Sequence, residues 1–121
     1  MVFGGTKFRK EMSHLKKYYG YLLELKKMRK LIEIDKDKVD SEELRLVNLV
    51  SEPDFDDAHI VAILSVSGCL LFASHDKRSF KYVKNRALYP KNSSKRFVYS
   101  RKRHLSLLTR EKIVSLQHIA A

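Results

Sequence analysis

The sequence predicts an α/β domain in which a parallel sheet carries helices on both faces. Three observations lead there. Short apolar runs alternate with longer stretches of helical periodicity, in the order strand, helix, strand, helix, helix, strand, helix, strand, which implies βαβ units. The run Cys69–Ala73 is apolar without alternation, as suits a strand covered on both faces. A length of 121 residues fits one compact domain and is too short for two.

The elements follow in chain order. Met1-Val2-Phe3 before Gly4-Gly5 reads as a strand entering a turn, after which Thr6 can cap a helix. Phe8, Met12, Leu15, Tyr19, Leu22 and Leu23 recur at steps of three and four, predicting one helix from Lys7 to Met28. A short strand is expected at Lys30–Ile34. Ser41-Glu42-Glu43-Leu44 carries a cap and first-turn acids, so the next helix is expected to begin there. After the turn Glu52-Pro53-Asp54, a helix opens at Asp54 or Asp56. It is apolar nearly all round from Ala58 to Val66, hence buried, and Gly68 ends it. The strand Cys69–Ala73 closes with Ser74-His75-Asp76. A helix at Lys77–Asn85, a basic loop with Pro90 and Asn92-Ser93-Ser94, and a strand at Phe97–Tyr99 complete the sheet. The tail LTREKIVSLQHIAA reads as a final short helix.

Composition narrows the function. No stretch of about 18 apolar residues exists, which excludes a transmembrane helix, and the N-terminus lacks the apolar run of a signal peptide. Cys69 stands alone in SGCLLFA, which fits a buried reduced thiol, so a cytoplasmic setting is expected. The net charge of +11 is unevenly spread. Residues 1–30 hold nine Lys/Arg and two acids, residues 31–76 three and eleven, and residues 77–121 thirteen and one. Basic ends attract polyanions, of which nucleic acid is the commonest, although a solvated basic face is the plainer alternative. The acidic middle gives a nucleic-acid binder nothing unless its carboxylates act.

Those carboxylates are placed to act together. Binding sites in parallel α/β sheets gather at the carboxyl ends of the strands. Asp76 follows one strand, Asp56 and Asp57 precede the helix packed before it, and Glu11 lies early in the helix after the first strand. Clustered carboxylates raise each other's pKa, a divalent cation relieves the repulsion, and oxygen-only ligands suit Mg²⁺ or Mn²⁺. Taken singly, each acid has a plainer reading: Asp56 and Asp57 at a helix N-terminus, Asp76 as a cap, Glu11 as a surface acid. His14, His59, His75, His104 and His118 show no metal-ligand spacing with Cys69.

The segment FDDAHIVAILSVSGCLLFASHDKRSF resembles the signature region of the PIN-domain ribonucleases. In that region one aspartate precedes a buried helix and a second ends the next strand in a Thr/Ser-x-Asp pattern. Asp57 matches the first and Ser74-His75-Asp76 the second. FGGTKFRKEM resembles the strand-turn-helix that bears the family's glutamate, at Glu11. The resemblance spans nearly the whole chain and implies a PIN-like fold over residues 1–121. It also implies Mg²⁺- or Mn²⁺-dependent RNA cleavage, with Glu11, Asp57 and Asp76 catalytic and metal-holding and Asp56 in reserve. Lys77, Arg78, Lys81, Arg101, Lys102 and Arg103 would neutralise RNA phosphates. Phe80, Tyr82, Phe97 and Tyr99 would stack bases or fill the core. An antitoxin-like protein is the partner that many bacterial members take.

One departure matters. PIN domains open with a central strand ending in an aspartate, and Met1 falls where the second strand of the family begins. The resemblance therefore implies a domain without its first strand, the helices after it and one metal ligand. A missing central strand leaves unpaired backbone groups across a gap. A second chain, a swapped element in a homo-oligomer or a rearranged sheet is expected to fill it. The alternative to an impaired nuclease is a non-catalytic module that binds RNA or protein on the same scaffold.

Overall fold

Val2–Phe3 forms β1 and Ile32–Glu33 forms β2, paired in parallel with Val2 opposite Ile32. The computed structural model describes residues 1–53, 55–74, 77–100 and 106, with the backbone alone at 16–19. Leu71–Ala73 (β3) and Phe97–Tyr99 (β4) make a second parallel pair, with Leu71 opposite Phe97. Five α-helices accompany them among the described residues: α1 Thr6–Ser13, α2 Lys16–Lys27, α3 Lys36–Leu49, α4 Ala58–Ser67 and α5 Lys77–Val83. The fold is mixed α/β, with two small parallel sheets. No described helix is long and apolar enough to cross a membrane. The tail from residue 107, expected to be helical, lies outside the described residues.

The single helix expected from Lys7 to Met28 is two. The Ser13 hydroxyl donates to the Lys10 carbonyl at 2.7 Å, and the His14 N–H turns to Glu11 at 3.2 Å instead. A serine that takes its own helix's carbonyl competes with the ladder, and the turn tightens and stops. The leucines that kept the periodicity going are not core: Leu15 and Leu23 are exposed. Helix α2 then ends in a Schellman arrangement. Arg29 adopts φ 57°, Lys30 N–H donates to Leu25 O at 2.8 Å, and Arg29 N–H donates to Lys26 O at 3.1 Å.

Helix α3 starts earlier than Ser41. The Asp35 carboxylate accepts from the N–H groups of Asp37 (2.8 Å) and Lys38 (3.2 Å), an N-cap that the charged run DKDK conceals. Helix α4 matches its expectation. Ala58, Val61, Ala62, Ile63 and Leu64 are buried, and Gly68 closes the helix in the left-handed region at φ 71°. Its main helical partner is α3, through Val39 and Leu46, both wholly buried. Val83 of α5, Val98 of β4 and Phe8 of α1 complete the core. Arg96, buried just before β4, donates to Leu64 O at the end of α4 (3.0 Å) and to Ser94 O (2.9 Å). Its guanidinium lies 4.1 Å from the Tyr89 ring centroid.

The two sheets do not join. In β1, Met1 O and Phe3 O accept from Ile32 and Ile34, so Met1 and Phe3 face β2 and Val2 turns its N–H and C=O the other way. In β3, Leu70 O and Ser74 N–H bond to Phe97 and Tyr99, so Leu71 and Ala73 turn away from β4. Both turned edges line one cavity of about 470 Å³. Its other walls are Ile60, Ile63 and Leu64 of α4, with Met1, Phe8, Cys69 and Phe72. This explains why β3, expected to be covered on both faces, is half-buried at Leu71 and Phe72 and exposed at Ala73.

Candidate functional site

The site is built where the start of α1 meets α3 and the start of α4. Two glycines bring α1 there. A Cβ on Gly4 would stand 2.6 Å from Ile34 Cγ1, and one on Gly5 2.6 Å from Val39 Cγ1. Gly5 also has φ 89° and ψ 158°, a region that essentially only glycine occupies. Thr6, expected as the cap, is instead the first helical residue, and the cap comes from α3. The Asp40 carboxylate accepts from Thr6 N–H at 2.9 Å and from Thr6 Oγ1 at 2.7 Å. The Thr6 backbone N–H, and then its hydroxyl, hold the Asp40 carboxyl below its ordinary pKa against the effect of burial.

This clamp aims the next turns of α1 at α4. Lys7 Nζ donates to the Asp56 carbonyl at 2.6 Å. Glu11 Oε2 lies 3.2 Å from His59 Nε2. His59 is 2% exposed, and its Nδ1 is buried without a hydrogen-bond partner. Burial pushes the imidazole below its ordinary pKa. Glu11 pulls upward, Lys7 adds to the lowering, and Asp57 and Glu43 pull upward more weakly. The fold thus favours the neutral ring, whose Nε2 lies against the Glu11 carboxylate.

Asp57 holds the N-cap position of α4, yet its carboxylate makes no capping hydrogen bond; its backbone carbonyl accepts from Ile60 N–H at 3.0 Å. Asp56 is exposed. Of the acids expected together, the structure brings Glu11 against the imidazole of His59, two residues after Asp57, and Lys7 of the same helix bonds the Asp56 carbonyl. Asp76 lies outside the described residues, as do Arg101, Lys102 and Arg103. Among the described residues no group of three His, Cys, Asp or Glu side chains is arranged to hold a metal ion.

The basic helix α5 sits beside this cluster through the loop before Asp56. Phe55 packs on Tyr82 with ring centroids 4.5 Å apart, and Tyr82 OH donates to Glu52 at 2.6 Å. Lys77 and Arg78 are exposed. Lys81 is engaged: its Nζ donates to Glu52 at 3.3 Å and lies 4.8 Å from the Tyr82 ring centroid. Tyr82 is buried and so is core rather than a stacking platform, while Phe80, Phe97 and Tyr99 are half-buried.

Asp40 and His59 were not singled out from the sequence. Asp40 carried no signal, because its role depends on a residue in another helix. His59 had one: it is the only ionisable group within the apolar run of α4. No protein-family model, characterised protein or solved structure matches the chain.

Proposed function

We propose that this chain is a PIN-like, metal-dependent ribonuclease domain in which Glu11, Asp57 and Asp76, with Asp56 in reserve, serve phosphodiester hydrolysis. One observation supports the reading: Glu11, selected by the family resemblance, lies 3.2 Å from the buried His59, two residues after Asp57 in the other matched segment. The donor set fits the implied ion in kind, since carboxylate oxygens suit Mg²⁺ or Mn²⁺. It fits in number only with Asp76 added. Such an ion supplies Lewis-acid polarisation of a phosphoryl oxygen. The chain's own groups do the rest. The His59 imidazole, packed 3.2 Å from the Glu11 carboxylate, limits where that carboxylate can lie. Asp57, without a capping bond, keeps both oxygens available. Lys77 and Arg78 of α5 meet RNA phosphates, and Arg101, Lys102 and Arg103 supply further positive charge for them.

Labelled single-stranded RNA with Mn²⁺ tests this. Cleavage is expected to fall on the order of a hundredfold or more in Asp57→Asn, Asp76→Asn and Glu11→Gln, as when a group acting on the transition state is removed. Cleavage unchanged by Asp57→Asn and Asp76→Asn refutes the assignment.

A second reading, a non-catalytic RNA-binding module, is favoured by a different observation. Residues 77–100 hold eight Lys/Arg and no acid, while the described carboxylates form no three-ligand group. It predicts salt-sensitive RNA binding indifferent to Mn²⁺ and to the same substitutions. Calorimetric Mn²⁺ titration separates the two, because only the nuclease has a carboxylate-dependent heat.

A further inference from the structure

We infer that the cleft between α1, α2 and the β1–β2 pair is a binding site for a small apolar carboxylate, a phenyl-sized body carrying one acid group. The inference does not rest on the nuclease reading. The break after Ser13 lets α2 pack back against α1, and Phe3 and Leu31 close the space between them. About 300 Å³ is left open there, the lower end of the range that small-molecule sites occupy. That volume suits one small molecule rather than a length of chain. Phe3, Phe8, Met12, Leu22 and Leu31 supply the apolar lining. Phe8 is buried, but Phe3, Met12, Leu22 and Leu31 are half-buried, so an occupant that covers them removes apolar surface from water. The Phe3 and Phe8 rings are tilted by 42° with centroids 5.6 Å apart, an arrangement that a third ring extends edge-to-face.

The polar groups of the cleft select the charge of the occupant. They are Arg9, Ser13, Lys26 and Glu33. Arg9 is paired with Glu33. The Ser13 hydroxyl donates to the Lys10 carbonyl at 2.7 Å. Lys26 is exposed at the mouth, and its ammonium has no side-chain partner among the described residues. The polar group left for a ligand is therefore a cation beside an apolar wall. A carboxylate answers it, and a neutral amide does so less well. A ligand ammonium would meet Lys26 with like charge, and the carboxylate of Glu33 is already matched by Arg9.

The probe is 3-phenylpropanoate, titrated into the full chain labelled with ¹³C-methyl methionine, with the amide and the amine of the same skeleton as controls. The three methionines locate the ligand: Met12 lines this cleft, Met1 lines the cavity between the sheets, and Met28 is exposed. The Met12 methyl is expected to shift saturably while the Met1 methyl does not follow. The acid should bind about two- to fivefold more tightly than the amide, the range that an exposed ion pair supplies, and the amine most weakly. Lys26→Gln should erase the preference for acid over amide and leave amide binding within about twofold. The ligand series needs no change in the protein, so it decides the matter even if Lys26→Gln fails to fold. No saturable shift at Met12, a shift that Met1 shares, an acid that binds no better than its amide, or a preference that survives in Lys26→Gln each overturns the inference.

Discussion

Gly5→Ala is the substitution on which the geometry of the acidic cluster turns. Gly5 sits at φ 89°, ψ 158°, where a residue with a Cβ is held at a cost of roughly 1–3 kcal/mol. The new methyl would stand 2.6 Å from Val39 Cγ1 and 3.3 Å from Asp40 Oδ1. Val39 is wholly buried against α4, so it cannot swing aside, and overpacking of this kind costs typically about 1–3 kcal/mol. The strain can be relieved only by moving α1 away from α3. That stretches the two Thr6–Asp40 hydrogen bonds, each involving a charged acceptor and worth on the order of 1.5–3 kcal/mol. The alternatives compete rather than add, so about 3–5 kcal/mol is expected, a large part of a small domain's stability. Urea denaturation of wild type and Gly5→Ala measures it. Adding Val39→Ala to both backgrounds isolates the clash: in the glycine background it should destabilise by cavity formation, and in the alanine background by at least about 1 kcal/mol less. A Gly5→Ala protein within about 0.5 kcal/mol of wild type would show that α1 is not pinned here, and the placement of Glu11 would lose its physical basis.

Two further outcomes follow from groups held away from their ordinary pKa. His59 is depressed below 6.5, so the fold prefers the neutral ring; its contribution is fully present above that value and is lost as pH falls through the lower folded pKa. Unfolding free energy should therefore drop between pH 7 and pH 5, by no more than about 1.4 kcal/mol per pH unit for this proton, and His59→Leu should flatten that limb in pH-dependent denaturation. Tyr89 is pushed up to about 12 by burial, against the pull of Arg96, and its hydroxyl donates to Val83 O at 2.7 Å. Its contribution is complete below pH 10 and is lost as pH rises toward 12. Ultraviolet titration should show a phenol titrating near pH 12 that disappears in Tyr89→Phe, a variant destabilised by about 1 kcal/mol.

Features set by neighbours in the chain were legible, and features set by distant contacts were not. Gly68 announces the end of α4, the apolar run from Ala58 announces its burial, and Phe97–Tyr99 is a strand over its expected length. The parallel pairing followed from element order. The break between α1 and α2 was hidden because Leu15 and Leu23 keep a helical rhythm while facing solvent; periodicity reports spacing, not what covers it. Ser41 reads as the cap because acids follow it in the next turn, whereas Asp35 caps a helix whose first turn is a mixed charged run with no apolar signal until Val39. In the site, Glu11 and Asp57 could be selected as acids in a pattern. The contact of Glu11 with His59, and the hold of Asp40 on Thr6, join residues from separate helices that no local spacing encodes.

The division between the sheets also bears on how the molecule unfolds. In a continuous sheet each strand passes cooperativity to the next through its ladder of backbone bonds. Among the described residues no such bond links β1–β2 to β3–β4. What communicates between them is the packing of side chains on α4, whose Ile60, Ile63 and Leu64 lie under both edges. Side-chain packing loosens gradually where a ladder breaks all at once. The coupling of the two sheets in unfolding is therefore expected to run through α4, with the Arg45–Leu88 hydrogen bond beside it, rather than through a shared ladder.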